Sequence, residues 1–113
     1  MRLTVRPKKF TPSDSLRECV DLRLRFALSR FQDSIREVVV VLDDVNGPKG
    51  GVDKRCQVVV RLTPRGRVAI EQNDVDFEIA VAAAAERAGR TVGRELERRR
   101  DGRTESPGMS PRE

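Results

Sequence analysis

The stretch that decides the fold runs from Ile35 to Leu62 and reads IREVVVVLDDVNGPKGGVDKRCQVVVRL. It contains two runs rich in β-branched valine, and each run is too short for a typical helix, so both runs predict strands. The residues between them, 43–53, are rich in Asp, Asn, Gly and Pro, which are typical of turns. The stretch therefore predicts strands at 35–42 and 54–62 joined by a hairpin-type connection.

The residues before this stretch predict one strand and one helix. Residues 2–6 alternate apolar and polar side chains until Pro7, which indicates a short first strand. Apolar side chains then recur every three or four positions from Leu16 to Phe31, and they are preceded by the hydroxyl residues Thr11 and Ser13, either of which is a candidate helix cap. This spacing predicts a core-facing helix of about four or five turns.

The residues after the stretch predict a last strand and a long helix. Residues 64–66 indicate a tight turn and residues 67–71 a short strand. The final helix begins at Asp74 or Asp76 and runs to about Arg100. The order β-α-β-β-β-α predicts an α+β fold, in which a four-stranded sheet carries both helices on one face, because each helix has one apolar stripe to bury.

Length and composition restrict the class of protein. The chain has 113 residues, of which 37% are hydrophobic and 36% charged, so it has room for one small domain. We place that domain at residues 1–100 and expect the polar tail, 101–113, to be disordered. The formal net charge of +5 favours an anionic partner. No segment approaches ~18 uninterrupted apolar residues, so we expect a cytoplasmic protein with no membrane contact.

The chain contains no histidine, which removes the commonest general base and the commonest metal ligand. We therefore expect no catalysis, no metal site, no cofactor and no small-molecule substrate. The two cysteines, Cys19 and Cys56, lie far apart in sequence and have no CxxC spacing. We predict that both are free core thiols and not a disulfide.

The final helix carries two separate stripes of side chains. The inward stripe is apolar and comprises Phe77, Val81, Ala84, Ala85, Ala88, Val92 and Leu96. Beside it lies a set that we call the arginine ridge, which consists of Arg87, Arg90, Arg94 and Arg98. Each guanidinium can donate two hydrogen bonds to one anion, so the ridge predicts a nucleic-acid partner. The alternative is a solvated helix face on which neighbouring glutamates offset the charge.

A second group of apolar side chains falls outside the predicted core. Leu22 and Phe26 either pack inside as part of a broad apolar arc or form an exposed patch for self-association or a protein partner. Val39, Val41 and Val59 would lie on the outer sheet face, where they are either covered in a homodimer or exposed. These five residues define an alternative function, a protein-interaction or dimerising scaffold module.

Three segments of the chain resemble the short form of the bacterial ribosome hibernation-promoting factor and ribosome-associated translation inhibitor family. They are the helix entry Ser13–Glu18, the closing-helix segment 76–92 and the loop segment NGPKGGVDKRC of residues 46–56, the most specific of the three. The resemblance covers roughly residues 1–98. It implies a fold similar to a double-stranded-RNA-binding domain and a non-enzymatic activity.

The resemblance also implies a partner. Members of that family bind the small ribosomal subunit in the channel shared by messenger RNA and tRNA, and they inhibit translation in resting or stressed cells. Arg23, Arg87 and Arg90 match basic family positions, and we add further residues from their spacing and charge. The complete predicted set of rRNA-binding residues is Lys8, Lys9, Arg23, Arg30, Lys49, Lys54, Arg55, Arg87, Arg90, Arg94 and Arg98.

Overall fold

The chain folds into a four-stranded sheet with two helices packed on one of its faces. The computed structural model describes residues 1–45 and 54–104, so Lys49, the loop of residues 46–53 and the tail after residue 104 lie outside the described residues. The predicted element order and the α+β class are confirmed. The elements are β1 Arg2–Lys8, α1 Asp14–Leu28, a 3₁₀ segment Ser29–Ser34, β2 Ile35–Asp44, β3 Lys54–Leu62, β4 Arg67–Asp74 and α2 Phe77–Thr104.

The strands lie across the sheet in chain order, from β1 to β4. β1 and β2 are parallel and are connected through α1, whereas β2 with β3 and β3 with β4 are antiparallel pairs. Val40 is opposite both Val5 and Val58, and Val58 is in turn opposite Ile70. Side chains on one face therefore form continuous rows across the sheet.

The core lies between the helices and one sheet face. Alternate strand positions are buried there because successive side chains of a strand point to opposite faces. The buried strand residues are Ile35, Val38, Val40, Leu42, Cys56, Val58, Val60, Leu62, Val68 and Ile70. The buried helix residues are Leu16, Val20, Leu24, Leu28, Ala80, Val81, Ala84, Ala85, Ala88 and Val92. Both predicted apolar stripes thus face the sheet.

The helices begin where side chains cap them. The Ser13 hydroxyl oxygen accepts a hydrogen bond from the Leu16 N–H at 3.1 Å, and the Asp76 carboxylate accepts one from the Glu78 N–H at 2.7 Å. Of the two predicted helix starts, Asp76 is therefore the cap of α2. This helix continues past the predicted end at Arg100, to Thr104.

Two other boundaries differ from the predictions. β1 continues through Pro7 to Lys8, because it is an edge strand paired only with β2, and an edge strand tolerates the missing proline N–H. α1 ends at Leu28, so Phe31 lies in the 3₁₀ segment and not in the helix.

Two glycines set the distance between the helices. α1 and α2 run side by side in the same direction, with Ala27 against Gly89 and Phe31 against Gly93. A Cβ at Gly89 would lie 2.9 Å from the Ala27 carbonyl oxygen, and one at Gly93 would lie 3.1 Å from the Phe31 ring. These two glycines therefore allow the close approach of α1 to α2. Their packing brings Arg30, next to Phe31, to the side of α2.

Candidate nucleic-acid interface

All four side chains of the arginine ridge are exposed, but their surroundings differ. Arg87 bends toward β4, where its guanidinium donates to the Glu71 carbonyl oxygen at 3.2 Å and to the Gln72 side-chain oxygen. Arg98 donates to the Glu95 carboxylate. At both ends of the ridge, guanidinium N–H groups therefore already donate hydrogen bonds to oxygens of the protein itself.

The middle of the ridge is more available to a ligand. Arg90 is 3.2 Å from Glu86, but the two side chains are 55% and 74% exposed, and such a surface pair contributes little stability. Arg94 has no ion-pair partner within 4.0 Å among the described residues. The predicted alternative, charge offset by glutamates, thus applies to Arg90 and Arg98 but not to Arg94.

A groove of about 1120 Å³ opens beside Arg90 and Arg94. The 3₁₀ segment, the turn between β3 and β4, and the C-terminal half of α2 form its walls. We call it the arginine groove, since its lining includes Arg30, Arg65, Arg90, Arg94, Arg99 and Arg100. Among the described lining residues, Glu97 is the one carboxylate. Several guanidinium groups around one concave surface concentrate positive potential there, which suits a polyanion.

Arg99 is absent from the predicted site but holds the far wall of the groove. Its guanidinium donates to the Thr63 carbonyl oxygen at 3.2 Å and to the Arg65 carbonyl oxygen, and it lies 3.7 Å from the Glu95 carboxylate. These contacts tie α2 to the β3–β4 turn. No local pattern indicates this role, because Thr63 is 36 residues away in sequence.

The packing of α1 against α2 brings two more basic residues, Arg23 and Arg30, to the side of the arginine ridge. The Arg30 guanidinium carbon lies 4.9 Å from the centre of the Phe31 ring, a cation–π contact that orients Arg30 at the edge of the groove. Arg23 is exposed and lies one turn before Ala27, on the edge of α1 that faces α2. The structure therefore brings these two predicted residues to the same helical layer as the ridge.

Four other predicted residues lie at the opposite end of the sheet. Lys54 is 3.0 Å from Asp44 and its ammonium nitrogen is 6.0 Å from the centre of the Phe77 ring, at the start of α2. Phe77 and Arg94 are separated by about 25 Å of helix. The group at this end comprises Lys8, Lys9, Lys54 and Arg55. The structure does not bring this group together with the arginine groove.

Within this group, Lys8 and Arg55 face away from the helices. In the sheet they lie on either side of Asp43. The next pair along these strands, Leu42 and Cys56, points into the core, so the row of Lys8, Asp43 and Arg55 points to the outer face. Arg55 also lies 3.9 Å from Glu71 on that outer face. A ligand that covers the helical layer would therefore not reach Lys8 and Arg55 at the same time.

The apolar residues predicted for a protein interface fall on two surfaces. Leu22 is 70% and Phe26 84% exposed, so the broad buried arc is excluded and the exposed patch is observed. The half-buried valines of the outer sheet face are Val39, Val41 and Val59. A neighbouring ion pair of Glu37 with Arg61, at 3.7 Å, borders the valines at one end.

Both cysteines are free thiols, as predicted, but Cys19 is only half-buried at the edge of the core. Cys56 is buried in the core, and this burial, with a smaller contribution from Cys19, raises the pKa of its thiol to about 12. Among residues 1–45 and 54–104, no group of three or more His, Cys, Asp or Glu side chains is placed to hold a metal ion. Within the same ranges, no helix is both long and apolar enough to span a membrane.

Comparison with known proteins identifies a family. The family model described as "Sigma 54 modulation protein / S30EA ribosomal protein" matches residues 3–100, which is most of the chain. No curated protein sequence matches the chain. The match includes α1, the strands β2 to β4 and the arginine groove, and all of β1 and α2 except Arg2 and residues 101–104.

This chain is similar to several solved structures. The N-terminal domain of Protein Y from Thermus thermophilus is 26% identical, with a TM-score of 0.69 over 84% of this chain and 99% of that one. A ribosomal subunit interface protein from Coxiella burnetii is 14% identical, with a TM-score of 0.72 over 86% of this chain and 99% of that one. The second likeness shows a shared fold.

Proposed function

Because the chain belongs to the sigma 54 modulation protein / S30EA ribosomal protein family, whose members are ribosome-associated modulation proteins, we propose that it is a non-enzymatic inhibitor of translation that binds the small ribosomal subunit. It occupies the channel of messenger RNA and tRNA and contacts rRNA through its helical layer. Its site of action is the cytoplasm, in resting or stressed bacterial cells.

The arginine groove is the observation that carries this proposal. Arg30 of the 3₁₀ segment meets Arg90 and Arg94 of α2 at one concave surface with a single described carboxylate. Arginine is suited to phosphate because its planar guanidinium can bind two oxygens of one group. Recognition is by shape and phosphate contacts, since the surface offers few groups that read bases. Arg23 extends the same surface along α1, and the basic residues near Lys54 form a separate predicted contact.

Sedimentation with purified small subunits over a salt series tests the proposal. The double variant Arg90→Glu/Arg94→Glu removes two phosphate contacts, so the slope of log affinity against log salt should fall by about 1.4 to 1.8. The matched control is Arg2→Glu/Arg67→Glu, which makes the same change in net charge on the opposite sheet face, where both side chains are exposed. The control should bind with a slope close to that of the unmodified protein.

The outcomes separate the proposal from its competitor. Equal losses in both double variants would mean that general charge, and not the groove, drives binding. If the unmodified protein fails to sediment with small subunits at low salt, the ribosomal assignment is wrong. In that case the second candidate function, a protein-interaction or dimerising module, would be the one supported, because Leu22 and Phe26 are exposed.

A further inference from the structure

Phe26 is the most exposed of the large apolar side chains that the structure describes. It is 84% exposed, and Leu22, one turn earlier on the same face of α1, is 70% exposed. Two large apolar side chains adjacent on one helix face leave an apolar patch in water, which makes this face a candidate binding surface. The packing of the core does not use either residue.

The other aromatic rings of the chain already pack against groups of the protein itself. The chain has four phenylalanines and no tyrosine or tryptophan. Phe10 stacks on Phe77 with ring centres 4.7 Å apart, and Phe31 packs between Gly93 and the Arg30 guanidinium. Phe26 is therefore the one ring with both a free face and a position in the helical layer.

The charges around Phe26 indicate which occupant fits the patch. Arg23 lies three residues before Phe26 and borders its side of α1, and Arg30 follows Phe26 in the 3₁₀ segment, just beyond the end of the helix. Neither has an ion-pair partner among the described residues, whereas nearby Arg25 is 2.7 Å from Asp21. A nucleotide offers an aromatic base for the ring and phosphates for the two arginines. A protein partner would need acidic groups at the same two points.

We propose that Phe26 is a base-stacking platform at which the helical layer holds one unpaired nucleotide of RNA. The base stacks on the exposed ring, and Arg23 and Arg30 bind the phosphates on either side of it. Leu22 extends the apolar surface under the sugar or the next base. This inference rests on the proposed RNA-binding function, to which it adds a stacking contact that is sequence-tolerant and, unlike the phosphate contacts of Arg23 and Arg30, independent of salt.

A single tryptophan provides a direct test, because the chain has none of its own. In Phe26→Trp, titration with a short single-stranded oligouridylate RNA should quench the fluorescence as bases stack on the indole. The control Ala69→Trp places the same reporter at an exposed position of β4 on the outer sheet face, away from the helical layer, and should not be quenched. Phe26→Ala should weaken binding of labelled RNA about tenfold and leave its salt slope unchanged, and Phe26→Tyr should restore it.

The results that would overturn the inference are distinct from those that overturn the proposed function. If Phe26→Trp binds the labelled RNA without quenching and Phe26→Ala binds it normally, the stacking contact is wrong and the arginine groove stands. If the tryptophan emission changes with protein concentration in the absence of RNA, and the solution mass falls on changing Leu22 and Phe26 to serine, the patch is a self-association surface. If neither the RNA nor small subunits bind at low salt, both assignments are wrong.

Discussion

The substitution Gly89→Ala tests whether the contact between α1 and α2 builds the groove. The new Cβ would lie 2.9 Å from the carbonyl oxygen of Ala27, which is too close for a carbon and an oxygen. That oxygen belongs to the backbone of a packed helix and cannot rotate away. The two helices must therefore move apart, and Arg30 moves with α1 away from Arg90 and Arg94.

The expected magnitude follows from two opposing effects. In a helix interior alanine is favoured over glycine by about 1 kcal/mol, whereas overpacking of a tight contact costs roughly 1 to 3 kcal/mol. The net loss should be about 1 kcal/mol, which lowers the Tm by roughly 4 to 8 °C for a domain of this size. In Gly93→Ala the new Cβ would meet the end of the Phe31 ring at 3.1 Å, and a ring can tilt. That variant should be neutral or slightly stabilised.

Urea unfolding followed by circular dichroism at about 222 nm measures both variants, since helix content reports folding and the chain lacks tryptophan. Affinity for small subunits should fall in Gly89→Ala and change little in Gly93→Ala. The reasoning is refuted if Gly89→Ala is more stable than the unmodified protein by the full helix propensity of alanine. That result would mean that α1 does not approach α2 at this point.

Three further predictions concern single residues. Arg99→Ala should lower the free energy of unfolding by about 1 kcal/mol and speed hydrogen exchange in the β3–β4 turn. Unchanged exchange would show that the turn is stable without its contacts to Arg99. Arg94→Ala should lower the salt slope of ribosome binding by about one without changing the Tm, whereas Arg87→Ala should lower the Tm more and the slope less; equal effects would contradict the difference in their contacts. Iodoacetamide at about pH 8 should label Cys19 and spare Cys56 until the protein unfolds, because the raised pKa keeps the Cys56 thiol protonated. The same shift should reduce stability as pH rises from 9.0 toward about 12, since the unfolded thiol ionises first, and rapid labelling of Cys56 in the folded protein would contradict its burial.

The element order could be predicted because it depends on consecutive residues. The valine runs around Val40 and Val58 alternate between faces, and the stripe from Leu16 to Leu28 repeats with the helical period. The boundaries at Pro7 and Arg100 could not be predicted in the same way. Whether a proline ends a strand depends on whether that strand lies at the sheet edge, and this is a property of the assembled sheet.

The arginine ridge was visible in the spacing of Arg87, Arg90, Arg94 and Arg98, but the availability of each was not. Spacing places side chains on one face of a helix, and it contains no information about what lies across from that face. The structure supplied that information: Arg87 is bound to β4 and Arg94 is free of ion pairs among the described residues. The same holds for Phe26. Its position on the helix could be predicted from the sequence, but its exposure to solvent could not.

The sequence alone was thus sufficient to predict the α+β class, the two helices on one face and a cationic surface on α2. These features follow from the hydrophobic period, the β-branched runs and the charge spacing, each of which is a property of a continuous segment. The groove needed the folded chain. Arg30 comes close to Arg94 because Gly89 and Gly93 let α1 and the 3₁₀ segment pack closely against α2, and Thr63 of the β3–β4 turn is held at the groove by Arg99. The distances between such residues are set by how the side chains pack, and packing is decided by contacts between segments that are remote in sequence.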